Sequence, residues 1–256
     1  MNCIYCVTFG KDQSSKFMLK RNILIAILTV FSLGFIGLQL LQYEYYAMGV
    51  RTLMLILLSF LYVVSVKNKR NFFFLFLLAY TLSDIFNFFT WDYNLKEGDF
   101  DVYYYLGNGL YILSYLFLVA KLLQSIKIRE VAAKLPFHVL ILFILDCFCV
   151  VIVTNTTKSE LGVYPYVLEF IYNAVIMLLL TLALLNYIHK DDKKSMNFLI
   201  GSICIVFSEV IQLAYFYISE TNILNVISSV FLVLAFVFFY LQSRLVYSER
   251  MQIANS

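Results

Sequence analysis

Proline and charge are what this sequence lacks most. It holds 2 Pro and 9 Gly in 256 residues, and only 14% of it is charged. Soluble domains carry about 25% charge and 45–50% apolar residues; here 62% is hydrophobic and the mean hydropathy is +0.84. Scarce Pro and Gly mean long helices with few breaks. Two His and no repeated Cys pair leave no metal-site spacing, so zinc and redox chemistry are not expected from Cys3-x-x-Cys6. Cys147, Cys149 and Cys204 lie in apolar runs, where cysteine acts as a small hydrophobe. A net charge of +3 is too small to point to nucleic acid.

What is present is apolar sequence in membrane-length stretches. A helical span needs about 20 mostly apolar residues, and eight such stretches occur, at 23–41, 48–66, 72–91, 102–124, 136–154, 163–187, 197–218 and 223–243. The sequence therefore predicts an all-α, polytopic bundle over 23–246, with short tails at 1–22 and 247–256. No cleavable signal peptide is expected, because the first run is long and lacks a small-residue cleavage site. Only Arg51, Lys96 and Lys158 of the 19 basic residues fall on one side of the alternation. The positive-inside bias then puts both termini in the cytoplasm, in what we expect to be a bacterial inner membrane.

Chemistry concentrates in the third and seventh spans. Leu77 to Asn87 puts Asp84 at the centre of an apolar run, and Ile205 to Gln212 does the same for Glu209. Intramembrane acids are costly and mark function by default. Both spans read Ser-acid-x-x-amide, a weak internal repeat. At a rise of about 1.5 Å per residue, Asp84, Asp146 and Glu209 fall within about 5 Å of the midplane. Glu169 lies nearer the non-cytoplasmic face. No Lys or Arg is expected at that depth, so the acids should lack buried ion pairs.

Helical spacing adds further candidates. Tyr80, Asp84 and Asn87 share a face, as do Tyr104, Asn108, Tyr111 and Tyr115; Glu169 pairs with Asn173, and Glu209 with Gln212. Turned inward, these line a polar pocket that opens toward the non-cytoplasmic side. Plainer roles compete: Asn173 and Gln212 as interhelical glue, Glu169 solvated at the interface, Asp146 as a protonated structural acid, and Lys121 snorkelling to the cytoplasmic surface.

Eight spans, no soluble domain and Ser-acid patterns in spans three and seven resemble the YhhN family of lysoplasmalogenase-like membrane proteins. Leu77 to Asp84 matches the family's third-helix pattern in its Ser-Asp ending. Gly201-Ser-Ile-Cys-Ile-Val-Phe-Ser-Glu209 is similar to the seventh-helix pattern in Gly, Phe and Ser. Glu209 stands where the family has Asp, and Asn108-Gly-Leu-Tyr111 keeps the Tyr but not the His of a His-x-x-Tyr element. The resemblance implies hydrolysis of a lysoplasmalogen vinyl ether in a membrane lipid. Asp84 and Glu209 would be the catalytic pair, one protonated and one ionised. Tyr80, Asn87, Tyr104, Asn108, Tyr111, Glu169, Asn173 and Gln212 would line the substrate site, with no cofactor and no metal. The competing class is a non-catalytic sensor or transporter that binds a small ligand or cation. Few Gly- or Pro-broken helices weigh against a transporter, and the absence of a Lys within spans seven and eight leaves no Schiff-base site for retinal.

Overall fold

The computed structural model describes residues 3–66, 71–91, 101–134, 136–158 and 161–245. Among them every regular element is an α-helix: α1 (Cys3–Leu40), α2 (Glu44–Ser65), α3 (Asn71–Phe89), α4 (Val102–Leu123), α5 (Ile128–Lys134), α6 (Pro136–Asn155), α7 (Val163–Lys190), α8 (Lys193–Tyr217) and α9 (Asn222–Arg244). All but α5 are long and apolar enough to cross a membrane. The chain is an integral, multi-pass membrane protein.

Two boundaries differ from the sequence reading. The stretch expected as a tail is helical from Cys3, in line with α1; no proline interrupts it. The side chains of Cys3 and Cys6 lie outside the described residues. The polar break after α4 contains the short helix α5.

Packing closes a ring. Along the chain α1 packs on α2, α2 on α3 and α3 on α4; then α4 meets α7, α7 meets α8, α8 meets α9, and α9 returns to α1. The helix α6 lies outside the ring against α7. Accordingly α6 keeps Phe137, Phe143, Ile144 and Phe148 exposed, which suits a lipid-facing surface.

One end of the ring is filled with aromatic side chains. Phe76 of α3 packs on Phe236 and Phe239 of α9, with ring centroids 6.0 and 5.6 Å apart. Phe198 of α8 joins Phe239 at 5.4 Å. Lys121 is buried here, its ammonium 4.6 Å from the Phe73 ring centre and 4.7 Å from that of Phe198. This corrects the expectation that Lys121 snorkels to the surface: two aromatic faces receive the cation inside the bundle. The opposite end, where α3 and α8 finish and α2, α4 and α7 begin, is hollow.

Candidate functional site: a polar cavity between five helices

Two serines fix the helices that carry the central acids. Ser83 Oγ donates to the Gly107 carbonyl of α4 at 2.7 Å, and Ser208 Oγ donates to the Ser228 carbonyl of α9 at 2.9 Å. Each serine ties its helix to the next one in the chain, and each adjacent acid meets a tyrosine of α4. The bare Gly107 permits the close approach: a Cβ there would lie 2.3 Å from Asn87 Oδ1. Gly201 acts similarly, since a Cβ would lie 2.7 Å from the Phe239 ring. The Ser and Gly of the family-like pattern thus pack helices rather than face the cavity.

The cavity holds about 430 Å³, inside the range of about 300–1,000 Å³ typical of small-molecule sites. Of the residues expected to line the pocket, Tyr80, Asn87, Tyr104, Asn108, Tyr111, Glu169, Asn173 and Gln212 do so, whereas Tyr115, on the same stripe of α4, is fully buried and does not. Glu209 lines it as well. Asp84 does not: it is fully buried behind the wall.

What covers Asp84 is Arg51. Its Nε and Nη2 reach the two carboxylate oxygens at 2.8 and 2.9 Å. The Tyr111 hydroxyl donates to Asp84 Oδ1 by a short bond, and accepts from Arg51 Nη2 at 3.3 Å and from Asn87 Nδ2 at 3.4 Å. The expectation of acids without buried ion pairs is therefore overturned. Counting span two from residue 48 left Arg51 at its edge, but α2 begins at Glu44 and carries Arg51 two turns inward. A long guanidinium stem then reaches the level of Asp84.

Glu209 has a different setting. Tyr115 of α4 donates to Oε1 through a short bond, and Tyr172 of α7 makes a second side-chain hydrogen bond. Among the described residues no basic side chain bonds to it. Tyr111 and Tyr115 stand one turn apart on α4, about 6 Å along the axis. Both rings pack on Tyr80, with centroids 4.8 and 6.0 Å away. Tyr80 therefore separates an ion-paired acid on the α2–α3 side from a neutral-partnered acid on the α8 side.

Toward the mouth, Glu169 is buried and accepts from the Tyr104 hydroxyl at 2.9 Å, so it is not an interfacial, solvated carboxylate. Asn173 lines the cavity and also donates to Thr154 of α6 at 3.1 Å, which holds the outer helix to the ring. Asn108 turns its amide back to the Tyr104 carbonyl at 2.9 Å. Asp146, on the outer helix, is hydrogen-bonded to Thr181 and is not part of the cavity. The mouth is braced by Glu44 of α2, which accepts from Tyr215 of α8 at 2.6 Å and from Asn225 of α9 at 3.1 Å.

Sequence reasoning left Arg51, Trp91, Tyr172, Phe216 and Tyr217 out of the lining. Tyr172 had a signal, three residues from Glu169 on the same face. Among the described residues no three His, Cys, Asp or Glu converge as metal ligands would. Fold and site together define a multi-pass helical membrane protein with a preformed polar cavity between α2, α3, α4, α7 and α8. No family model, curated protein or solved structure matches the chain.

Proposed function

We propose that this protein hydrolyses vinyl ether lipids of the lysoplasmalogen type, with Glu209 as the group that moves protons. One observation carries the reading: Glu209 is a carboxyl in the cavity wall, oriented by two tyrosines and, among the described residues, bonded to no cation. The resemblance of the Ser-acid spans to the YhhN pattern supports it. By the positive-inside bias the mouth faces the non-cytoplasmic side of a bacterial inner membrane.

The chemistry needs a proton at carbon. Protonated Glu209 delivers it to the β-carbon of the enol ether, and the double-bond electrons form the new C–H bond. The resulting oxocarbenium ion takes up water, and the Glu209 carboxylate removes a proton from that water. The hemiacetal then breaks its C–O bond as its hydroxyl proton passes to the leaving glycerol oxygen, giving a fatty aldehyde and a glycerophospho-alcohol. Glu209 ends as it began, and one molecule of water is consumed. The logic follows glycoside hydrolysis, where a carboxyl flanks an oxocarbenium-like transition state. Asp84, sealed behind Arg51, is a positioning residue in this scheme: it fixes the guanidinium and the Tyr111 hydroxyl at the cavity wall.

A second reading, a non-catalytic binder of a small ligand or cation, is favoured by one feature. Asp84 is charge-balanced by Arg51, and both cavity acids already accept tyrosine hydrogen bonds, as in a rigid binding pocket. Purified protein given a 1-alkenyl lysophospholipid separates the two. Aldehyde release from the vinyl ether, with no cleavage of the matching ester, is expected of the hydrolase. Saturable binding without aldehyde establishes the binder.

A further inference from the structure

The Arg51–Asp84 pair has capacity left over. A buried ion pair is often no more stabilising than apolar residues of equal volume, so space-filling alone gives it no advantage. The guanidinium has five N–H donors, and Asp84 and Tyr111 occupy only Nε and Nη2. Among the described residues Nη1 has no hydrogen-bond partner. It is not sealed either: Arg51 lines the cavity, its side chain is 12% exposed, and Nη1 is not one of the buried atoms lacking a partner. Two N–H groups of a permanent cation therefore face the cavity from the α2 wall. Across the cavity the described lining from α7 and α8 carries no basic side chain, so Arg51 is the cation of the described wall.

The geometry points to Arg51 as the anchor for a phosphate ester on an amphiphilic ligand, with Nη1 donating to a phosphate oxygen while Asp84 holds the fork in place. Arginine suits this task because its planar donors match phosphate and its charge does not titrate. Tyr80 and Asn87 of α3 line the same cavity and offer further polar groups for the remaining phosphate oxygens. The assignment rests on the cavity being the substrate site proposed above, and it names the ligand's charged group.

Trp91 is the only tryptophan in the chain and lines the same cavity, so its fluorescence reports occupancy. Protein in an uncharged maltoside micelle is titrated with dodecyl phosphate, dodecanol and inorganic phosphate. Saturable quenching by dodecyl phosphate, with dodecanol at least about tenfold weaker, is expected from a charge-assisted contact. Inorganic phosphate binding as tightly as dodecyl phosphate would assign the anchor to the free anion; much weaker binding assigns it to the amphiphile. Arg51→Lys keeps a cation for Asp84 but loses the outward fork, and should weaken dodecyl phosphate about tenfold with dodecanol unchanged. Asp84→Asn frees the guanidinium and should tighten dodecyl phosphate about threefold; it also decides the matter if Arg51→Lys does not fold. Glu209→Gln should bind dodecyl phosphate like wild type while losing turnover, so a failed hydrolase reading leaves this test intact. Equal binding of dodecanol and dodecyl phosphate, an unchanged affinity in a folded Arg51→Lys, or unchanged or weaker binding in Asp84→Asn overturns the assignment.

Discussion

Arg51 and Asp84, 33 residues apart in the chain, meet in a two-pronged ion pair whose two halves are unequally buried: the carboxylate is sealed and the guanidinium keeps 12% exposure. That inequality sets an order of stabilities. Arg51→Met strands a sealed carboxylate and should cost about 3–5 kcal/mol, the usual cost of breaking a buried pair. Asp84→Asn should cost less, because the freed guanidinium reaches the cavity and the amide oxygen still accepts from it. The double variant should melt close to wild type. Thermal melts of the three variants in one detergent check this, and a double variant as unstable as Arg51→Met would contradict it.

Under the proposed mechanism, turnover depends on Glu209. In Glu209→Gln the amide oxygen can still accept from Tyr115 and Tyr172, so the fold should be kept. The amide cannot deliver a proton to carbon or take one from water, and aldehyde release should fall by about 10²–10⁴-fold. Glu209→Asp keeps the chemistry but withdraws the carboxyl by one methylene from both tyrosines, and should also lose activity. Aldehyde release with a melting control separates these effects from unfolding; a fully active Glu209→Gln removes the hydrolytic mechanism.

The fold was legible because lipid imposes a simple rule: every backbone group is satisfied within a helix, so apolar length alone reveals the spans. The site was partly legible for a related reason. A polar side chain at mid-span turns inward, so helical spacing sufficed to collect Tyr80, Asn108, Glu169 and Glu209 on facing walls. Arg51 was not legible, since it sits near a span boundary and its position was judged from its backbone. Arginine's charge lies at the end of a long stem, and one extra turn at the start of α2 decided where that charge falls. The aromatic plug was hidden too, because nothing in sequence distinguishes Phe76 and Phe236, which meet inside the ring at 6.0 Å, from Phe143, which faces outward.

Sidedness follows from lysine and arginine placement alone. Reporter fusions at Asp99, Lys127, Ser159 and Lys193 should read outside, inside, outside, inside. Two adjacent sites reporting the same side would contradict the eight-crossing topology.

The glycines of the bundle should divide into two classes. At Gly201 a methyl group meets the Phe239 ring at 2.7 and 2.8 Å and the Ala235 carbonyl at 3.3 Å. Phe239 is fully buried and itself packed on Phe76 and Phe198, so the ring has no room to retreat. Gly201→Ala should force α8 from α9 and cost about 1–3 kcal/mol, as overpacking does. At Gly37 a methyl meets nothing within 4 Å, and alanine should be neutral or add up to about 1 kcal/mol through helix propensity. Gly107→Ala falls between, because the three atoms nearest its methyl all belong to the end of the Asn87 side chain. Asn87 can swing away, but in doing so it leaves Tyr111 and the cavity wall. Stability should then change little while ligand binding weakens, and removing the obstruction in Gly107→Ala/Asn87→Ala should not restore binding. Melting curves and Trp91 titrations on the same preparations test all three positions; a Gly201→Ala that melts like wild type would show that α8 and α9 are not held by the close approach at Phe239.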